Sequence, residues 1–160
     1  MVNLYNSTNS FEISEDDDEA LVLHTSGTTS RPKVVPLTNK NIYSSAVNIA
    51  ETLNLTSSDH CYNIMPLFHI HGLIAILSSS IYAGASVYTS VGFNALSFLD
   101  KAKKENISWY SGVPTMHQGI LMRAKKNMEQ AKNLSLRFIR SSSASLPPAV
   151  FEELIDVFKA

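Results

Sequence analysis

The chain has 160 residues, a formal net charge of −1 and a hydrophobic fraction of 44%, which suits a single domain with a real core. Balanced charge argues against a nucleic-acid partner, and the longest apolar run, around Leu73 to Leu77, falls far short of the roughly 20 residues of a membrane span, so no membrane partner is expected. The lone cysteine, Cys61, excludes an internal disulfide and reads as a core filler in a reducing compartment.

In chain order, residues 1–19 read as an acidic, weakly ordered arm. Asn6 to Ser10 is a polar tract, and Glu15 to Glu19 is a run of acids that reads as a solvated lead-in. The arm lacks the apolar centre of a secretory leader. Leu21 to His24 is predicted as a short strand, followed by a hydroxyl-rich loop. A helix runs from Thr38, its N-cap, to Leu53, with Ile42, Ala46, Ile49, Ala50 and Leu53 on one face. Asp59 to Met65 is strand-like. Gly72 to Tyr82 is apolar all round and predicts a buried helix. Ala85 to Tyr88 is a strand after a Gly84 turn. Asn94 to Glu105 is helical, with Leu96, Leu99 and Ala102 inward. Ile107 to Tyr110 is a strand, and Pro114 to Lys126 is a helix with proline in its first turn. Leu136 to Arg140 is a strand. Pro147 to Phe158 is the last helix, with Val150, Leu154, Ile155 and Phe158 facing the core. This alternation, with connections too long for hairpins, predicts an α/β fold with a mainly parallel sheet. Ligands of such sheets bind beyond the carboxyl ends of the strands, where the polar loops of this chain fall.

The first of those loops, within Leu23 to Thr38, reads LHTSGTTSRPKVVPLT. Its hydroxyls and successive N–H groups are donors for phosphate oxygens, Gly27 allows close backbone approach, and Lys33 adds a compact positive charge. It is not the G-x-x-x-x-G-K-[ST] phosphate loop, because Pro32 precedes Lys33. Met65 to Gly72 reads MPLFHIHG. The pair His69 and His71 lacks neighbouring ligands for a zinc site. Trp109 to Thr115 reads WYSGVPT, a strand running into a proline-initiated helix, and Ser141 to Leu146 reads SSSASL, small enough for a flat ring to lie on its backbone. Arg140, just before it, reads as a surface or structural cation.

These segments, in this order, resemble the acyl-adenylate-forming superfamily of acyl-CoA synthetases, 4-coumarate–CoA ligases and luciferases. That family reads [YF]TSGTTGxPKGV in the first motif and [LM]P[LM]FHxxG in the second. The resemblance runs from about Asp18 to Phe158, and HTSGTTSRPK, PLFHIHGL and RSSSASL are most similar to the oxalate–CoA ligase branch. It implies a partial adenylation domain over residues 20–160, belonging to the large N-terminal domain of such an enzyme. Thr25, Ser26, Gly27, Thr28, Thr29 and Lys33 would grip the β- and γ-phosphates of ATP. Ser143, Ala144 and Ser145 would pack against adenine. His69 would orient the acid, making His69 and Lys33 the catalytic pair. His71, Ser111 and Ser142 would line the acid pocket, and a protonated His71 would offset a second carboxylate, which favours oxalate. Val34 stands where the family usually has glycine, and a β-branched residue there is expected to restrain a turn. The implied partners are a small carboxylic acid, ATP, Mg²⁺ and CoA, and the implied location is cytoplasmic, since Val157 to Ala160 spells no peroxisomal address. The family's next motif, Tyr-Gly-x-Thr-Glu, is not in this sequence, nor is the domain that carries its mobile lysine. The chain alone is therefore expected to be inactive. Two other readings stay open: a non-catalytic nucleotide-binding or interaction remnant, and an unrelated phosphate-binding module.

Overall fold

The computed structural model describes residues 13–25 and 32–160. They fall into two compact units that divide between Tyr43 and Ser44. The first unit holds strands β1 (Glu19–Thr25) and β2 (Lys33–Thr38), paired antiparallel from Glu19↔Thr38 to Thr25↔Lys33. The strands flanking the polar loop therefore pair with each other, and the second of them stands before the helix, where the sequence reading expects no strand. The reason is local. Lys33-Val-Val-Pro-Leu-Thr is rich in β-branched residues, and Pro36 is tolerated because a two-stranded sheet has only edge strands.

Val34 sits within β2 opposite His24, in extended backbone that a β-branched residue favours. The expected conflict with a glycine turn does not arise. Helix α1 (Asn39–Thr52) starts where Thr38 and Asn41 exchange bonds: Asn41 N–H donates to Thr38 Oγ1 at 3.3 Å, and Thr38 N–H donates to Asn41 Oδ1 at 3.1 Å. Two further orphan N–H groups, on Asn39 and Lys40, donate to the Asp18 and Asp16 carbonyls at 3.0 and 2.9 Å. The acidic side chains of 15–19 are exposed, while their backbone serves the helix start.

The second unit holds the rest of α1 and a four-stranded sheet in the order β4-β3-β5-β6, with β3 (His60–Asn63), β4 (Ser86–Thr89), β5 (Trp109–Gly112) and β6 (Phe138–Ser141). All its neighbours are parallel, as predicted. The helices are α2 (Ile70–Gly72), a π-helical stretch (Leu73–Ser78), α3 (Ser79–Tyr82), α4 (Ala95–Lys104), α5 (Pro114–Lys125), α6 (Met128–Lys132) and α7 (Pro148–Phe158). The sequence reading has no counterpart for β2 or for α6, which is too short to show a period.

Strand alternation sorts the core into two faces. Cys61, Val87, Trp109 and Phe138 point to the face covered by Ile76 of the π-helical stretch and by Leu53 and Leu55. Tyr62, Tyr88, Tyr110 and Ile139 point to the face covered by α4, α5 and α7. There Tyr62 stacks on Phe98 with centroids 5.3 Å apart, and Phe98 meets Tyr110 edge to face at 4.8 Å. Cys61 is fully buried, and burial pushes its thiol well above its ordinary pKa.

Three helix faces need correction. Leu96 is 70% exposed, because it lies in the first turn of α4, and Phe98 joins Leu99 and Ala102 inside. Ile155 is 41% exposed and Val157 replaces it in the core. The apolar stretch ending at Tyr82 is not buried all round: Ile81 and Tyr82 face outward.

At the amino edge of the sheet, Asp59 is clamped. Arg137 donates to it twice, Nε to Oδ1 at 3.0 Å and Nη2 to Oδ2 at 2.8 Å, while Ser108 Oγ and Thr56 N–H each donate at 2.9 Å. Arg137 also donates to the carbonyls of Leu53 and Asn54. The clamp thus ties the end of α1 and the starts of β3, β5 and β6 together at the edge opposite the polar loops.

Candidate functional site

The sheet order places a topological switch between β3 and β5. The chain leaves β3 for β4 on one side, and leaves β5 for β6 on the other, so their carboxyl ends open a crevice. Three of the predicted loops lie at that edge: MPLFHIHG after β3, SGVP after β5 and SSSASLPP after β6.

The loop after β3 is held by close packing. Asn63 is buried, and its Oδ1 accepts the Met65 N–H at 3.0 Å. The Pro66 carbonyl accepts the His69 N–H at 3.2 Å and lies against Gly72, where a Cβ would stand 2.4 Å from the Pro66 oxygen. Only glycine admits that approach. His69, extended at φ −108° and ψ 142°, precedes α2, and its exposed ring lies 4.7 Å from that of Phe68. Two residues on, His71 turns inward and is 6% exposed.

His71 is the centre of a hydrogen-bonded chain. Its Nε2 lies 2.7 Å from Ser111 Oγ at the end of β5, and its Nδ1 lies 3.1 Å from Ser143 Oγ in the loop after β6. Arg140, near the end of β6, donates from Nη1 to the same Ser111 Oγ at 3.1 Å. Burial first, then the positive charge of Arg140 and the neighbouring His117 and His69, lower the His71 pKa to about 4. His71 is therefore neutral near pH 7. The sequence reading expects a protonated His71 to offset a second carboxylate, and the structure corrects that. The fixed cation of the site is Arg140, half-buried and read from sequence as a surface or structural residue. Burial lowers its pKa from an ordinary value so high that it stays charged. Its position near the carboxyl end of a parallel strand is the signal that could have found it.

Below this chain lies a second polar pair. His117 of α5 is fully buried, with Nδ1 3.2 Å from Tyr110 OH. Burial lowers the His117 pKa, so its ring too is neutral.

Ser111 is fully buried and Ser142 is half-buried, and the Ser142 N–H donates to the Gly112 carbonyl at 3.2 Å. Ser143, Ala144 and Ser145 are exposed. Ser143 has φ +71°, a left-handed conformation that costs a non-glycine residue about 1–2 kcal/mol. The structure thus joins His71, Ser111 and Ser143, and adds Arg140. His69 makes no hydrogen bond in this chain of residues. Ser26, Gly27, Thr28 and Thr29 lie outside the described residues. Thr25 ends β1 and Lys33 opens β2 as register partners, so that loop springs from a closed hairpin neck with the exposed Lys33 at its base.

Beside the loop after β3 is a mostly apolar cavity of about 400 Å³, lined by Met65, Leu67, Phe68, Phe93 and Met116 among others. Among the described residues no group of three or more His, Cys, Asp or Glu could hold a metal ion. No helix of the described residues is long and apolar enough to cross a membrane.

Residues 4–160 match the family described as AMP-binding enzyme. An oxalate–CoA ligase of Arabidopsis thaliana is 49% identical over 150 residues, covering 92% of this chain and 29% of that protein. An oxalate–CoA ligase of Saccharomyces cerevisiae is 47% identical over 143 residues, covering 89% of this chain and 26% of that protein. A malonyl-CoA ligase solved as a ternary product complex with methylmalonyl-CoA and AMP shares the fold with a TM-score of 0.84. It is 29% identical, covering 94% of this chain and 33% of that one. The chain thus spans less than a third of the length of these two curated relatives.

Proposed function

Because the chain belongs to the AMP-binding enzyme family, we propose that it forms part of a cytoplasmic acid–CoA ligase acting on a short dicarboxylic acid, oxalate above all. The reaction would join the acid carboxylate to the α-phosphate of ATP with loss of pyrophosphate, and the CoA thiol would then displace AMP. The observation that carries this reading is the Arg140–Ser111–His71–Ser143 chain at the carboxyl edge. A buried polar wall with one fixed cation suits a small acid whose far end is also anionic. A fatty acid would leave the remaining donors of the Arg140 guanidinium without an anion, at a cost of about 1–3 kcal/mol. The names of the relatives support the same acid class.

In this reading Arg140 holds the distal carboxylate, with Ser111 and Ser142 on the pocket wall. His71 orients Ser111 as a neutral link. His69, exposed at the mouth of the loop, faces the reacting carboxylate. Ser143, Ala144 and Ser145 offer a small, open platform for adenine. Lys33, with Thr25, Ser26, Gly27, Thr28 and Thr29, takes the outer phosphates. Residues 20–160 are then a partial adenylation domain preceded by an acidic arm. ATP and CoA supply the activating and accepting groups, and no step is assigned to Mg²⁺. Residues 1–160 alone are inactive in this reading, because the Thr-Glu motif and the mobile lysine that the resemblance calls for are not among them.

The test is product analysis of the uninterrupted reading frame that contains this chain, given ATP, CoA and a panel of oxalate, malonate, succinate, acetate and hexanoate. Oxalyl-CoA should form fastest. Preference for acetate or hexanoate would overturn the proposal. The same assay on residues 1–160 should show no oxalate-dependent pyrophosphate release above a Lys33→Ala control.

A further inference from the structure

The donors and acceptors around His71 fix more than a shape. A guanidinium has only donors, so the bond from Arg140 Nη1 makes Ser111 Oγ an acceptor. Ser111 is fully buried, and among the described residues its own proton has one partner within reach, His71 Nε2 at 2.7 Å. If Nε2 carried a proton instead, that proton and the Ser111 proton would compete for one line, and a buried hydroxyl proton would be orphaned. Nε2 is therefore bare. A neutral ring then carries its proton on Nδ1, which faces Ser143 Oγ at 3.1 Å.

Ser143 receives that proton's bond while holding φ +71°, a backbone conformation that favours glycine. The position keeps a strained serine, and among the described residues the one side-chain bond that serine makes is to His71. As the acceptor from Nδ1, Ser143 Oγ has its own proton left over, and the residue is exposed.

We propose that Arg140, Ser111, His71 and Ser143 form a hydrogen-bond relay of fixed direction, with His71 held as the Nδ1-protonated tautomer and Ser143 as its positioning residue. The relay runs from the guanidinium through Ser111 and the ring to Ser143, and it ends in a hydroxyl proton free to donate. The charged and titratable groups around His71 are Arg140 on β6, His117 on α5 and His69 in its own loop, and none of them supplies an anion that would favour a doubly protonated ring. The relay does not depend on which acid the site takes. If an acid with two anionic ends binds there, it meets a donor at each end of the relay, and that consequence alone rests on the proposed function.

The experiment is nitrogen NMR of the chain with its five histidines labelled at both ring nitrogens, His71 being assigned with His71→Gln. At pH 7 the His71 signals should show a proton-bearing Nδ1 and a bare Nε2. Arg140→Met removes the donor that sets the direction, so the single tautomer should give way to a mixture. Ser111→Ala should do the same. A protonated Nε2 in the unmodified chain would overturn the proposal, as would an unchanged tautomer in folded Arg140→Met. Should either variant fail to fold, the tautomer of the unmodified chain decides alone. Acid turnover is not part of this readout, so failure of the relay and failure of the proposed reaction are separable.

Discussion

Gly72→Ala puts the packing of the site loop to a quantitative test. A methyl group at this position would stand 2.4 Å from the Pro66 oxygen and 3.0 Å from the Met65 oxygen and the Pro66 carbonyl carbon. All three are backbone atoms, so no side chain can swing away. Relief needs the Pro66 carbonyl to retreat, and that carbonyl accepts the His69 N–H. Overpacking of this kind costs about 1–3 kcal/mol and a lost hydrogen bond about 1 more, so the variant should lose about 2–4 kcal/mol. For a chain of this size that corresponds to a fall in Tm of about 5–15 °C. Urea unfolding should show a lower midpoint with an unchanged slope. Gly92→Ala is the control. It meets nothing within 4 Å but has φ +68°, so its cost is conformational alone, about 1 kcal/mol. A Gly72→Ala loss no larger than that of Gly92→Ala would refute the close approach.

Two further outcomes follow from the fold. For Asp59, burial alone would raise the carboxyl pKa, but the bonds from Arg137, Thr56 and Ser108 outweigh it and hold the group below its ordinary value. A lowered carboxyl pKa adds stability that is complete above the unfolded value of about 4 and is lost as pH falls through the folded value. Asp59→Asn should therefore remove part of the acid sensitivity below about pH 4 while costing about 1–3 kcal/mol at neutral pH, because Arg137, partly exposed and still bonded to the Leu53 and Asn54 carbonyls, loses only its anionic partner, and unfolding curves across pH check both. Val34→Gly restores the residue usual in the resembling family, yet Val34 is strand residue in β2. It should lower hairpin stability by about 1 kcal/mol and leave ATP affinity unchanged, and tighter ATP binding in a titration would contradict the strand assignment.

Much of this architecture was legible in the sequence because the signals were local. The runs at Cys61 to Asn63, Ser86 to Tyr88 and Trp109 to Tyr110 read as strands, and proline at the start of α5 and α7 marked helix starts. Lys33 to Thr38 was missed because its β-branched run lay inside a motif read for its phosphate chemistry. The helix faces failed at Leu96 and Ile155, where an apolar residue at helical spacing sits at the rim of the buried stripe. At the site, His71, Ser111 and Ser143 were legible as candidates, but their connection was not, since they are separated by up to 72 residues in the chain. The charge of His71 was misread for the same reason. Its pKa is set first by burial and then by Arg140, and neither is visible until β3, β5 and β6 lie side by side.

The central claim is that Arg140 reads the far carboxylate of a short dicarboxylic acid. The most direct measurement is KM and kcat for oxalate and acetate in the complete protein that carries this chain, unmodified and as Arg140→Met. The account predicts that the variant raises KM for oxalate by at least about 10-fold, the loss expected on removing one charge-assisted hydrogen bond, with acetate unaffected. Equal KM for oxalate in the two proteins, or an equal loss for both acids, would contradict it.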